Sequence, residues 1–99
     1  MRTANRPKNV TKMDLGSIRS DLERLFEENV LLHVSLREGR KRLEDVPSTI
    51  TGVYNHFVCV TAHIKNYVDE TLTINYIDIV IGKFKIKELD ELYAAKSEN

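Results

Sequence analysis

The chain has 99 residues, 41% hydrophobic and 30% charged, with acids and bases in equal number and a formal net charge of +0. That size fits one domain with a modest core, and the balanced charge supplies no global field toward nucleic acid or membrane. The single cysteine, Cys59, excludes an intrachain disulfide and a cysteine-rich metal site, which fits a reducing compartment.

Charge is nonetheless clustered. Residues 1–12 carry Arg2, Arg6, Lys8 and Lys12 with no acid, and with Pro7 among small polar residues they predict a flexible basic arm. Residues 13–28 are acidic, with Asp14, Asp21, Glu23, Glu27 and Glu28 against Arg19 and Arg24. No apolar core of signal-peptide length follows the basic residues, and no stretch approaches a membrane span, so a cytoplasmic protein without membrane contact is expected.

Leu15, Ile18, Leu22, Leu25 and Phe26 form one apolar stripe at helical spacing. Thr11 or Asp14 can cap this helix, Asp14 better, while Gly16 weakens its start by about 1 kcal/mol relative to alanine. Asn29 is the predicted stop. Val30, Leu32, Val34 and Leu36 then alternate with Leu31, His33, Ser35 and Arg37, the period of a half-buried strand. Glu38 and Gly39 supply a reversal into a second strand from Lys41 to Tyr54, with Pro47 and Gly52 as bend or bulge positions.

After a turn at Asn55 and His56, residues 57–64 are apolar on both faces and read as a central strand. Residues 65–70 suit a loop. Leu72, Ile74 and Tyr76 face inward on the next strand. The apolar run Ile77–Ile81 is broken by Gly82, and Asp78 within it is expected to accept backbone N–H bonds in a tight turn. Phe84 and Ile86 alternate with Lys83, Lys85 and Lys87, a lysine face suited to an edge. Leu89, Leu92 and Tyr93 sit at helical spacing in the tail.

The organisation expected is therefore an arm over 1–12, a helix plus barrel over 13–88 and a helical tail over 89–99. The fold class is α+β, mainly β: an N-terminal helix, a small five-stranded antiparallel barrel and a short C-terminal helix. An SH3-like or Sm-like barrel fits best, with an OB-fold as the nearest competitor.

The most unusual local feature is the hairpin tip, where Arg37, Arg40, Lys41 and Arg42 surround Glu38. Its functional reading is contact with phosphate or an acidic protein surface, since the guanidinium fork makes paired hydrogen bonds to either. The plain alternative is a solvated turn with Arg37 facing Glu44 across the hairpin. Arg2, Arg6, Lys8 and Lys12 extend the same cationic surface if the arm reaches the same ligand, which would make binding salt-sensitive. Tyr67, in a polar loop, is the best-placed residue for stacking a base, whereas Phe57 and Phe84 read as core.

His33, His56 and His63 lack metal-ligand spacing, and no carboxylate motif accompanies them. Cys59 reads as a buried, inert thiol. With no phosphate loop, nucleophile elbow or paired-acid motif, neither catalysis nor a cofactor is expected. The open edges of a small barrel, or the helix, leave room for a homodimer.

At Gly39-Arg40-Lys41, Gly52-Val53-Tyr54, Phe57-Val58 and Tyr76-Ile77-Asp78-Ile79 with Gly82 soon after, in this order behind a helix and a strand, the chain resembles the Veg family. These are small cytoplasmic proteins of Gram-positive bacteria associated with stimulation of biofilm formation. The resemblance covers roughly 15–86 and is that of a divergent member. Glu28-Asn29 stands where the family tends to have glycine, and Ile74-Asn75-Tyr76 where a Ser-Tyr-Ser-Tyr-like run is usual. It implies an SH3-like barrel and a regulatory role exerted by contact with a protein partner, such as a transcriptional repressor, and supplies no catalytic residues. A nucleic-acid binder of Sm-like or OB-like type is the alternative.

Overall fold

The computed structural model describes residues 14–38 and 41–97, with backbone alone for 38, 41, 96 and 97. Helix α1 (Leu15–Glu27) starts where the Asp14 carboxylate accepts the Gly16 N–H and the Ser17 hydroxyl, and it turns Ile18, Leu22 and Leu25 into the core. It ends in a Schellman motif. Asn29 takes the left-handed conformation (φ 57°) and donates to Phe26 O, while Val30 N–H reaches Leu25 O.

Five strands follow: β1 (Leu32–Glu38), β2 (Lys41–Val53), β3 (Phe57–Ala62), β4 (Glu70–Asn75) and β5 (Phe84–Ile86). All neighbours are antiparallel, in the order β4-β3-β2-β1-β5, so β4 and β5 are the open edges. The long strand β2 is shared. Its first half pairs with β1 and its second with β3, and Ser48, fully buried, is opposite both Leu32 and Ala62.

The sheet curls because β2 carries two bulges. One lies opposite Ser35, where the register slips between Val34 and Leu36 and Asp45 takes φ 47°. The second lies at Thr51 and Gly52. Gly52 was an expected bend; the first bulge falls two residues before Pro47, the other expected position. Pro47 itself pairs with His33 and accepts the His63 N–H.

The curled sheet is a half-barrel, and its concave face carries Val34, Val58, Val60, Ile74 and Ile86 against Ile18 and Leu22 of α1. Two short helices close the ends of this core. Helix α2 (Tyr76–Val80) replaces the expected tight turn between the last two strands, because Ile79 turns inward with Tyr76 at helical spacing. It too ends in a Schellman motif, with Gly82 at φ 88° donating to Ile79 O and Lys83 N–H to Asp78 O. Asp78 thus receives the turn's N–H at its backbone carbonyl, and its carboxylate sits 4.0 Å from Lys83 Nζ instead. Helix α3 (Lys87–Ser97) starts directly after β5 and buries Leu89 in the same core as α1.

Two further expectations change. Cys59 is half-exposed on the convex face, 3.8 Å from Thr73 Oγ1, and is not a buried thiol. Phe57 is half-buried and stacks on the exposed Tyr54, ring centroids 4.9 Å apart, because β3 turns its odd-numbered residues outward; Phe84 is in the core.

Candidate functional site

The arginines of the β1–β2 hairpin owe their arrangement to the bulge below them. Without an extra residue on β2, the Val34–Val46 pairing would carry on to place Arg37 opposite Leu43 and Arg42 opposite Glu38. The bulge advances β2 by one residue, so the pairs become Leu36–Leu43, Arg37–Arg42 and Glu38–Lys41. Arg37 therefore faces Arg42 and not Glu44. Directly opposed residues share a face, and with Leu36 buried that face is the convex, solvent side.

Ser35 holds the bulge. Its hydroxyl oxygen accepts the Asp45 N–H at 2.9 Å, and the buried hydroxyl lies 3.5 Å from Asp45 Oδ1. Asp45 meets the left-handed backbone conformation at small cost, as short polar side chains do. A serine and an aspartate ten residues apart thus bring two arginines side by side.

The cationic row continues onto β5. Arg37 N–H donates to Lys83 O, so Lys83, Arg37 and Arg42 cross three neighbouring chain segments, while Lys85 pairs with Ser35 in the next row. Each lysine faces an acid, Asp78 at 4.0 Å from Lys83 and Asp90 at 3.8 Å from Lys85. Among the described side chains, which do not include that of Glu38, no carboxylate stands within ion-pair distance of Arg37 or Arg42.

A cleft of about 240 Å³ opens beside Arg37, between Gly82, Phe84, Lys85 and Asp90. A second, of about 350 Å³, lies across Lys85 and Asp90 between α3 and Ser35. Burial between these clefts raises the Asp90 carboxyl above the usual range, against the pull of Lys85.

Arg40 and the arm residues Arg2, Arg6, Lys8 and Lys12 lie outside the described residues, and Lys41 is described only by its backbone pairing with Glu38. Tyr67 is exposed at 76%, but it belongs to the β3–β4 loop. That loop leaves the sheet beside Pro47, at the other end of the β1–β2 pairing from the arginines.

Two polar clusters escape a reading of the sequence. Glu88, in the first turn of α3, accepts the His33 N–H at 2.7 Å and places its other oxygen 2.6 Å from His33 Nδ1. The carboxylate supplies the acceptor that β5 would have offered had it not become a helix. Thr49 Oγ1, His63 and Asp69 form a chain with contacts of 2.8 and 3.1 Å. Hydroxyl, imidazole and carboxylate in this order occur in nucleophilic catalysis. Here the hydroxyl lies on an exposed strand beside a cleft of only about 100 Å³, and the chain fastens the β3–β4 loop to β2. Neither cluster has a local spacing; each depends on strand register.

Among the described residues, no three His, Cys, Asp or Glu side chains converge as metal ligands, and no helix is long and apolar enough to cross a membrane. No protein-family model matches the chain, and no curated protein matches its sequence.

Proposed function

We infer that this chain is a non-enzymatic, cytoplasmic regulatory protein that grips an acidic surface of a partner protein through the convex face of its β1–β2 hairpin. The observation that carries this reading is the Arg37–Arg42 pair, set face to face by a built bulge and left without a carboxylate among the described side chains, Glu38 lying outside them. Like charges directly opposite in a sheet are locally destabilising. A partner's carboxylates relieve that repulsion, and the planar guanidinium forks accept them in paired hydrogen bonds.

The finer fold assignment is SH3-like. It is supported by the four-stranded meander, the shared and doubly bulged β2, and the short helix that leads into β5 beside β1. The resemblance to the Veg family adds the regulatory role, contact with a transcriptional repressor that influences biofilm-related gene expression. One departure from that family is milder than its letters suggest: Asn29, where glycine is usual, holds the left-handed conformation that glycine adopts without strain.

The nucleic-acid alternative would use the same cations with Arg2, Arg6, Lys8, Lys12 and a stacking aromatic. The exposed aromatics Tyr54 and Tyr67 lie away from the arginines, and Phe84, the aromatic that lines the cleft beside Arg37, is buried, which favours carboxylates over bases as the ligand. The test is fluorescence anisotropy with a labelled polyglutamate peptide and a labelled single-stranded RNA, each at low and physiological salt. The expected result is peptide binding that is lost in Arg37→Ala/Arg42→Ala. RNA binding that exceeds peptide binding and falls when residues 1–12 are removed would transfer the assignment to nucleic acid.

A further inference from the structure

The two open edges of the half-barrel differ. Strand β5 offers three residues flanked by Lys83 and Lys87 with Lys85 at its centre, and lysines on a short strand deter edge pairing. Strand β4 is twice as long, and from Thr71 to Ile77 the chain carries no charge and no proline. No bulge interrupts its pairing with β3, which runs unbroken from Ala62–Glu70 to Phe57–Asn75.

The hydrogen-bond phase tells which backbone groups are free. Tyr76 N–H donates to His56 O, the next step of the same ladder, so Ile74 and Leu72 also turn their N–H and C=O groups toward β3. Thr71, Thr73 and Asn75 turn theirs outward, and all three residues are exposed. Beyond the two ends of this strand sit exposed apolar side chains, Tyr67 and Val68 (76% and 87% exposed) before it and Ile77 (53%) after it.

We propose that β4 is the interface of a homodimer, paired antiparallel with β4 of a second copy about a twofold axis through Thr73. This register uses every outward-facing group of the strand. Thr71 exchanges both bonds with Asn75 of the second copy, Thr73 with Thr73 of the second copy, and Asn75 with Thr71 of the second copy. No charged residue of the strand meets another of its own sign, because Asp69 and Glu70 of one copy stand opposite the Ile77 and Tyr76 end of the other. The same twofold carries the exposed Tyr67–Val68 end of each copy to the Ile77 end of its mate, once on each side of the axis. Pairing β5 with itself would instead set Lys85 against Lys85. The occupant that fits β4 is therefore its own copy, and the dimer leaves both arginine pairs free.

Sedimentation velocity across a concentration series tests this on the full chain. The wild type should show a reversible monomer–dimer equilibrium, and Thr73→Lys, an exposed change that sets two ammonium groups together at the axis, should remain folded and monomeric, with a melting temperature that does not rise with protein concentration. A second pair of variants reads the register. Thr73→Cys in a Cys59→Ser background should cross-link into a covalent dimer on mild oxidation, since hydrogen-bonded partners have Cα atoms about 5.5 Å apart, within disulfide range. Replacing Cys59 is necessary because it is the cross-strand neighbour of Thr73 in the same copy. Thr71→Cys in that background should not cross-link. A wild type that stays monomeric throughout, or a Thr71→Cys variant that cross-links as readily as Thr73→Cys, would overturn the proposal.

Discussion

The α1-backed core and the β1–β2 hairpin are joined by the same strands but built on opposite terms. In the core, Leu22, Val34, Val58 and Ile74 are fully buried, and every substitution there acts through packing. At the hairpin, Arg37 and Arg42 are exposed and opposed, and the bulge that opposes them is held by Ser35. The lesson is that the contacts that stabilise this protein and the contacts that equip it to bind are carried by different residues, and the bulge is where the two meet.

That division predicts an ordered series of effects. Leu22→Ala, which removes a fully buried side chain from the inner face of α1, should lower unfolding free energy by about 2–5 kcal/mol in urea titration, with peptide affinity per folded molecule unchanged. Glu88→Ala should cost about 1–3 kcal/mol, because it strips the His33 N–H of its acceptor and frees the first turn of α3. Native-state hydrogen exchange should show the loss at His33 before the rest of β1. Ser35→Ala is the variant that joins the two regions. It should cost about 1 kcal/mol and also weaken anion binding, since the bulge that sets Arg37 against Arg42 loses the acceptor of Asp45 N–H. A Ser35→Ala protein with full affinity would break the link between bulge and site.

Arg37→Ala/Arg42→Ala should leave stability within about 0.5 kcal/mol of wild type, because both side chains are exposed and their mutual repulsion is removed with them. The smallest effect is confined to alkaline solution. Burial raises the Tyr76 phenol above its ordinary value of 10.0, partly offset by its hydrogen bond to Tyr54 O and by Arg19. The unfolded chain therefore releases that proton first, and the stability tied to it is complete below pH 10.0 and lost as pH rises toward the folded-state value. Tyr76→Phe should remove this part of the alkaline decline, as read from melting temperature against pH.

Much of the core was legible in the sequence because its signal is local. The helical stripe behind Asp14, of which Ile18, Leu22 and Leu25 are buried while Leu15 and Phe26 at its ends stay exposed, the alternation of Leu32, Val34 and Leu36, and the lysines around Phe84 and Ile86 each declare a face within one element. Helix α2 was not legible because Ile77–Ile81 is apolar apart from Asp78 and too short to declare a period, and only Gly82 hinted at a helix end. The site was legible only in composition. The sequence displays four cations at a tip, but which of them oppose one another follows from a one-residue bulge that no local pattern announces. His33–Glu88 and Thr49–His63–Asp69 join residues brought together by strand register and helix docking, so their partners were invisible for the same reason.

The most direct test is an amide chemical-shift titration of the full, isotope-labelled chain with a polyglutamate peptide. The account predicts that saturable shifts concentrate at Arg37, Arg42 and Lys85, with smaller changes at Ser35 and Asp45 beneath them. Shifts confined instead to Tyr54, Phe57 and Tyr67, at the two ends of β3, with Arg37 and Arg42 unmoved, would contradict it and place recognition on the exposed aromatics.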